Sequence, residues 1–265
     1  MNIIETIILA IIEGLTEFLP VSSTGHLILG TALLGIEPTP FVKLFTIAVQ
    51  PGAILAVVVL YFKRFFQTLD FYLKLFIAFI PAAVIGLIFN DWIDVLLESP
   101  LTVAISLVIG GVILLFVDRW FKGNEEGPIR PITNRRALII GFYQVLAMIP
   151  GTSRSGATIV GGLAAKLNRK DAAEFSFFLA VPTLVAATGY KILKFFQEEG
   201  IGFSGDEIWV LFIGNVVSFV VGLIAIKGFI SFLTNKGFRL FGWYRIIVGG
   251  ILLIILLSGS DLAVV

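Results

Sequence analysis

Carboxylates, hydroxyls and a histidine are concentrated in one short stretch of a mostly apolar chain. Residues 13–27 read EGLTEFLPVSSTGHL and include Glu13, Glu17 and His26, the single histidine of the sequence. On a helix, two residues four apart lie on one face, one turn from each other. Two like charges in an apolar setting are costly unless a proton or a cation lies between them. The pair therefore predicts a divalent-cation site, a proton-relay pair or both, and oxygen-only ligation would suit Mg²⁺ or Ca²⁺.

The middle of this stretch interrupts the apolar pattern with a proline and a run of hydroxyl residues, namely Pro20, Ser22, Ser23 and Thr24. Proline is tolerated near a helix start, and serine or threonine caps the first turn. We therefore predict a helix that begins here and directs its N–H groups towards the carboxylates and His26. Since Ser23 and His26 are three residues apart, they would share a helix face as a candidate nucleophile and general base.

A second interruption, PGTSRSGAT at residues 150–158, has the composition of an anion-binding loop. Glycine allows close backbone approach, hydroxyls donate hydrogen bonds, and a helix N-terminus favours negative charge. Arg154 would add a fork of donors suited to phosphate oxygens. The two interruptions together predict substrate-binding positions at Ser22, Thr24, Ser153, Arg154, Ser155 and Thr158. A cation site, a nucleophile with its base and an anion-binding loop suggest phosphoryl chemistry on a lipid.

The composition is that of an integral membrane protein. The 265 residues are 58% hydrophobic and only 14% charged, and the mean hydropathy is +1.02. Soluble domains are nearer one quarter charged. A net charge of +1 gives no electrostatic case for nucleic-acid binding, and the absence of cysteine excludes disulfide and thiolate chemistry.

The apolar pattern predicts an all-α membrane fold in a single domain that covers residues 1–265. Six uncharged runs are interpreted as crossings: Leu44–Phe62, Leu75–Asn90, Ser99–Val117, Phe175–Tyr190, Ile208–Ile226 and Ile246–Ser260. Several are shorter than the ~20 residues that an untilted helix needs, and snorkelling flanks such as Lys74 and Arg245 are expected to extend them. Residues 2–34 and 137–165 are broken midway, and broken backbone survives at membrane depth only inside protein or beside a wet cavity. Both are therefore predicted to be re-entrant helical hairpins.

The charges between crossings predict the orientation of the chain in the bilayer. Basic residues follow the first, third and fifth crossings: Lys63, Arg64, Lys74, Arg119, Lys122, Arg130, Arg135, Arg136, Lys227, Lys236 and Arg239. Acidic residues follow the others: Asp91, Asp94 and Glu98 after the second, where no Lys or Arg occurs, then Glu198, Glu199, Asp206 and Glu207 after the fourth and Asp261 after the sixth. The positive-inside rule then places the basic loops in the cytoplasm and both termini outside.

The two halves of the sequence resemble each other. A shift of 131 aligns Glu13 with Gln144, Ser22 with Ser153, Ser23 with Arg154, Gly25 with Gly156 and Pro51 with Pro182. We expect internal repeats at approximately 1–130 and 131–265, each with one hairpin and three crossings. Because three is odd, the halves must be inverted in the membrane, an architecture whose site lies where broken helices meet near the midplane.

The two interruptions resemble the motifs of the bacterial undecaprenyl-diphosphate phosphatase family, also called the bacitracin-resistance proteins. EGLTEFLPVSSTGH matches the first motif and PGTSRSGAT the second, in the right order, and the resemblance covers essentially the whole chain. It implies hydrolysis of undecaprenyl diphosphate to undecaprenyl phosphate and inorganic phosphate. That reaction recycles the lipid carrier for peptidoglycan and other envelope polymers and affects bacitracin sensitivity. It also implies a multi-pass protein of the bacterial inner membrane whose site faces the periplasm or outside.

On this basis the expected catalytic residues are Glu13, Glu17, Ser23, His26 and Arg154, with a divalent cation, Mg²⁺ or Ca²⁺, at Glu13 and Glu17. The attacking group stays open between Ser23 with His26 as base, His26 itself, and a water that His26 activates. The alternative function is a polyprenyl-phosphate flippase, since inverted repeats with midplane charges are also typical of transporters. The partners expected are a polyprenyl diphosphate lipid and the membrane, and a homodimer stays open.

Overall fold

The regular secondary structure of the computed structural model is helical in the part of the chain that it describes, which is 1–65, 68–97, 99–125, 130–199 and 203–258. The α-helices are α1 Ile3–Thr16, α2 Ser23–Leu33, α3 Pro40–Ala48, α4 Gln50–Leu60, α5 Phe62–Phe65, α6 Leu69–Ile88, α7 Asn90–Leu97, α8 Pro100–Trp120, α9 Asn134–Val145, α10 Arg154–Ala164, α11 Arg169–Glu199, α12 Gly205–Lys236 and α13 Arg239–Leu257. Of the predicted positions, Glu98, the side chains of Glu198 and Glu199, and the residues after Ser258 lie outside the described part.

Six segments are long and apolar enough to cross a membrane, as the sequence predicted. They are Pro40–Leu60, Leu69–Ile88, Pro100–Trp120, Arg169–Gln197, Gly205–Lys236 and Arg239–Leu257. Most extend further than the uncharged runs, because polar residues such as Thr39, Ser99 and Ser204 cap their first turns. The helices also include charged residues that border the uncharged runs, such as Lys74 in α6 and Arg119 in α8.

The two interrupted stretches have the same local structure. α1 ends at Thr16 and α2 begins at Ser23; the bounds of α2, shifted by 131 residues, are the bounds of α10. The residue before each second helix is a serine with positive φ, 72° at Ser22 and 75° at Ser153. Each of these serines accepts a hydrogen bond through Oγ from a glycine N–H, at Gly25 and Gly156 respectively. A left-handed serine is uncommon, and the capping bond compensates part of its cost.

Glycines bring α8 and α13 into close contact behind these interruptions. A Cβ added at Gly111 would lie 2.8 Å from the carbonyl oxygen of Gly242, and one at Gly242 would lie 2.8 Å from that of Gly111. Gly249 likewise abuts Ala104, so this glycine packs helices within one chain, whereas Gly250 faces open space. Small residues at such crossings let backbones approach closely in a membrane. This contact sets the spacing of the two helices that lie against the site.

The first crossing is broken at Val49, between α3 and α4, and a side chain of α12 satisfies the break. Asn215 Nδ2 donates to the carbonyl of Ala48 at 2.8 Å, and its Oδ1 accepts from the N–H of Gly52 at 2.7 Å. Unpaired backbone groups are expensive at membrane depth, so this amide stabilises a broken helix that would otherwise expose them. The equivalent crossing of the second half, α11, is continuous past Pro182.

We expect Asn215→Leu to destabilise the protein by about 1–3 kcal/mol, because it leaves Ala48 O and Gly52 N–H without this partner. The measurement is the thermal midpoint of detergent-purified protein. Asn235→Leu is the matched control, since that asparagine bonds only to its own helix at the exposed end of α12. Equal midpoints for the two variants would contradict the role assigned to Asn215.

Candidate active site

The first interruption joins a buried carboxylate directly to a serine. Glu17 continues the helical turn after α1, with its N–H donating to the carbonyl of Glu13 at 2.9 Å, so the predicted one-turn spacing of the two carboxylates is present. Ser23, the first residue of α2, donates its hydroxyl to Glu17 Oε2 at 2.6 Å. Glu17 and Ser23 are only 6% and 7% exposed. A short hydrogen bond to a carboxylate in so dry a setting polarises the hydroxyl towards an alkoxide.

The second interruption contributes the opposite charge to the same carboxylate. Arg154, the first residue of α10, donates to Glu17 Oε1 at 2.7 Å and to the carbonyl of Ser176 at 3.0 Å. Its Nε is buried and has no partner within the described residues. Glu17 therefore bridges Ser23 and Arg154, the two positions that the repeat alignment pairs, and the structure brings both interruptions to one point as predicted.

Glu13 is the most buried charged group of the site. Its side chain is 0% exposed, and among the described residues neither carboxylate oxygen has a hydrogen-bond partner. No cluster of three or more His, Asp or Glu side chains suited to a metal occurs in the described part. Mg²⁺ commonly takes only one or two carboxylates and completes its shell with water and phosphate oxygens. Glu13, whose two oxygens have no partner among the described residues, lies one turn from Glu17 and beside an anion-binding loop, and this set fits that arrangement.

The hydroxyls of the second interruption have protein partners. Ser155 Oγ donates to the carbonyl of Leu19 at 2.7 Å, which ties the second interruption to the first. Thr158 Oγ1 pairs with Ser176 Oγ at 2.6 Å and lies within reach of the Arg154 carbonyl. Ser155 and Thr158 are both 0% exposed, so these hydroxyls hold the loops together. Contact between them and a substrate stays a prediction, as it does for Ser153, whose Oγ lies 3.1 Å from that of Ser155.

His26 does not form the expected hydrogen bond with Ser23 in the described structure. Its Nδ1 lies 2.7 Å from the carbonyl oxygen of Ser22, and its Nε2 lies 2.7 Å from the hydroxyl of Tyr244 on α13. A carbonyl only accepts, so Nδ1 carries a proton. In the neutral imidazole Nε2 is then the acceptor and Tyr244 donates to it. Nothing in the sequence pattern indicated Tyr244, because it lies 218 residues from His26 in an apolar run.

Arg245 was wrongly interpreted from the sequence as a snorkelling flank. It is 1% exposed, and its five N–H groups are directed at five backbone carbonyls. Nη1 donates to Pro20 at 3.1 Å and Thr152 at 2.8 Å, and Nη2 to Gly151 at 2.7 Å. The other two bonds reach α8, to Leu107 at 3.3 Å and Ser106 at 3.0 Å. One guanidinium therefore cross-links both interruptions to α8 and uses every donor that it has.

We expect Arg245→Met to lower the stability of the protein by more than about 3 kcal/mol, because five buried carbonyls lose their donor. Thermal midpoints in detergent measure this effect. The matched control is Arg239→Met at the start of the same helix, where the side chain is exposed. A midpoint as high as that of the control would show that the carbonyls do not depend on this guanidinium.

Comparison with known proteins identifies chains similar to this one over most of its length. The family model described as bacitracin resistance protein BacA matches residues 6–251. A protein of Flavobacterium johnsoniae named undecaprenyl-diphosphatase is 60% identical over 256 residues, which cover 96% of each chain. Proteins with the same name from Porphyromonas gingivalis and Aquifex aeolicus are 50% and 46% identical. The matches cover 100% of both chains for the former, and 92% of this chain and 95% of the relative for the latter.

Proposed function

This chain belongs to the bacitracin resistance protein BacA family, and we propose that it is a membrane phosphatase that hydrolyses undecaprenyl diphosphate to undecaprenyl phosphate and inorganic phosphate. The names of relatives that align with nearly the whole chain support this reaction. The single structural observation that carries it is Glu17, which joins Ser23 and Arg154 in a buried site. A nucleophile, its base and an anion-binding cation are thereby assembled at one point. Recycling of the lipid carrier for cell-wall synthesis follows from this reaction, as does resistance to bacitracin.

The reaction begins at Ser23, whose oxygen attacks the terminal phosphorus of the diphosphate. Its proton moves to Glu17, the carboxylate to which it is already bonded at 2.6 Å. A bond forms between Oγ and phosphorus, and the bridging P–O bond breaks with its electron pair on undecaprenyl phosphate. This assignment gives Glu17 the role of base for the first step that the spacing alone had suggested for His26, since the hydroxyl of Ser23 donates to Glu17 while the ring nitrogens of His26 pair with Ser22 and Tyr244.

The second step removes the phosphoryl group from Ser23. Water attacks phosphorus, His26 Nε2 accepts its proton, and the Oγ–P bond breaks as Ser23 recovers a proton from Glu17. His26 is suited to this step because Ser22 fixes its Nδ1 as a donor and leaves Nε2 basic. Arg154 stabilises charge on the phosphoryl oxygens in both steps through its Nε, which has no partner among the described residues, and through the donors that now pair with Glu17.

A divalent cation, Mg²⁺ or Ca²⁺, would be held by Glu13 with Glu17 and by the diphosphate oxygens. When bound, such an ion neutralises negative charge on the diphosphate and lowers the barrier to attack by an anionic nucleophile. The support is Glu13, a buried carboxylate whose two oxygens have no hydrogen-bond partner within the described residues. Gln144, the neutral residue at the aligned position, accepts from Thr183 instead.

We propose that the fold is an inverted-topology repeat with two re-entrant hairpins, α1–α2 and α9–α10. The equal bounds of α2 and α10 and the left-handed serines before them support the repeat. The packing between the halves also supports the repeat. Helix α1 of the first half packs on α12 of the second, and α9, the counterpart of α1, packs on α6 of the first. We also propose that the protein lies in the bacterial inner membrane, as the family resemblance implies, and the loop charges support an orientation in which α1–α2 enters from the outside. The carboxylates, Ser23 and His26 of that hairpin then face the periplasm.

Hydrolysis is favoured over the flippase alternative. A flippase needs an anion-binding site and a proton site, but it has no use for a serine hydroxyl bonded to a buried carboxylate beside an arginine. The curated relatives are also named for a phosphatase reaction. Transport of the lipid is therefore not required to account for the site.

We expect Ser23→Ala and Glu17→Gln each to lower phosphate release from a polyprenyl diphosphate by about 10³-fold or more, because they remove the nucleophile and its base. His26→Ala should cost about 10²–10⁴-fold and allow phosphate on Ser23 to accumulate. Release is measured in detergent, with exposed Ser231→Ala and Glu37→Gln as controls. Activity retained by Ser23→Ala but lost in His26→Ala would show that His26, or a water, makes the attack.

We expect chelation of divalent cations to abolish phosphate release and Mg²⁺ or Ca²⁺ to restore it. Glu13→Gln should raise the cation concentration needed for half-maximal release by about tenfold or more, because half of the carboxylate pair is lost. The cation should also raise the thermal midpoint of the unsubstituted protein, but not that of Glu13→Gln. Glu37→Gln is the control. Full activity in the chelator would contradict the cation site.

A further inference from the structure

Tyr244 lies on the boundary between the lipid-facing surface of α13 and the candidate active site. Outward residues of this helix form a continuous apolar stripe: Leu240, Trp243, Ile247, Ile251 and Ile254, each between 49% and 69% exposed. Tyr244 is itself 42% exposed at the edge of that stripe, yet its hydroxyl reaches His26 Nε2. Most exposed side chains of α13 are aliphatic, so a phenol bonded into the site is distinctive.

The contact between Tyr244 and His26 is defined in both orientation and hydrogen bonding. The rings are nearly parallel, with centroids 5.5 Å apart and an interplanar angle of 6°, while the hydroxyl oxygen lies 2.7 Å from Nε2. The opposite nitrogen is held by the Ser22 carbonyl at 2.7 Å. Hydrogen bonds therefore hold both ring nitrogens, and the Tyr244 ring lies alongside the imidazole, which leaves the imidazole little rotational freedom.

The first hairpin lies between α12 and α13, which contact each other near their shared loop through Phe229, Phe232 and Phe241. Gly14 of α1 abuts Ser218 on α12, and His26 of α2 abuts Tyr244 on α13. On the α13 side, the partly exposed Tyr244 thus lies between His26 and the lipid-facing stripe. A lipid headgroup that approaches the imidazole from the bilayer on this side meets the phenol first.

We propose that Tyr244 is a positioning residue of the phosphatase reaction: its hydroxyl holds the imidazole of His26 with Nε2 directed at the point where the lipid headgroup enters. This inference rests on the proposed function. The phenol keeps Nε2 hydrogen-bonded and the ring oriented in the free enzyme, and a phosphate-bound water replaces the hydroxyl at Nε2 during the second step. Phenylalanine would retain the stacking contact and lose only the hydrogen bond, so the substitution isolates the hydroxyl.

The test uses the fact that His26 is the only histidine in the chain. Protein labelled with ¹⁵N at histidine gives a single imidazole, whose two nitrogens are resolved by NMR in detergent. In Tyr244→Phe the Nε2 resonance should move while the Nδ1 resonance, held by the Ser22 backbone, stays. The same variant should lose about tenfold in kcat for phosphate release with KM changed less than about twofold, since orientation and not binding is affected.

The matched control is Tyr190→Phe, the same substitution at a tyrosine of α11 that is 41% exposed; it should leave both resonances and kcat unchanged. An Nε2 resonance that does not move in Tyr244→Phe, or an unchanged kcat, would overturn the positioning role while the phosphatase activity of the unsubstituted protein stands. If the unsubstituted protein releases no phosphate, the proposed function fails and this inference fails with it. Equal effects in both tyrosine variants would identify a general loss of packing and would also overturn the inference.

Discussion

Broken backbone buried among membrane helices must find all of its hydrogen bonds within the protein, and in this chain Arg245 meets much of that requirement. Three of its five acceptors belong to the two interruptions and two belong to α8. A guanidinium with carbonyl partners stays charged without an acidic side chain beside it, because five carbonyl dipoles point at it. Its charge therefore lies directly behind the loops that form the candidate site. That cross-link holds the two interruptions against each other and against α8.

The site itself is divided between the two interruptions. The first contributes carboxylates, a hydroxyl and an imidazole, and the second contributes a cation together with hydroxyls that bond to the first. Ser23 and Arg154 occupy equivalent positions at the start of α2 and α10, and both are bound to Glu17. Two loops of the same local structure thus present a hydroxyl at one equivalent position and a positive charge at the other. That complementarity makes it possible to bind an anion at one loop and activate a nucleophile at the other.

The sequence was most informative where the apolar pattern is interrupted. Six crossings, the start of α2 near Ser22, and the convergence of the two interruptions on one point could all be predicted, because polar residues at membrane depth are rare and costly. Contacts between distant parts of the chain could not be predicted in this way. Tyr244 and Arg245 lie in an apolar run whose spacing carries no sign of His26 or Pro20. The partner of Ser23 was also misassigned, because helix periodicity favoured His26 while the turn before α2 brings Glu17 closer.

The ion pair of Glu17 with Arg154 gives the resting site a built-in competitor for anions. Any phosphate that binds Nη2 of Arg154 must first displace a carboxylate held at 2.7 Å, and it binds there only to the extent that its own contacts outweigh that ion pair. A diphosphate offers more oxygens and more charge than either phosphate that leaves. Competition from the Glu17 carboxylate therefore favours binding of the diphosphate substrate over binding of either product. Product release is then favoured, since the Glu17 carboxylate pairs with Arg154 again and displaces the bound phosphate.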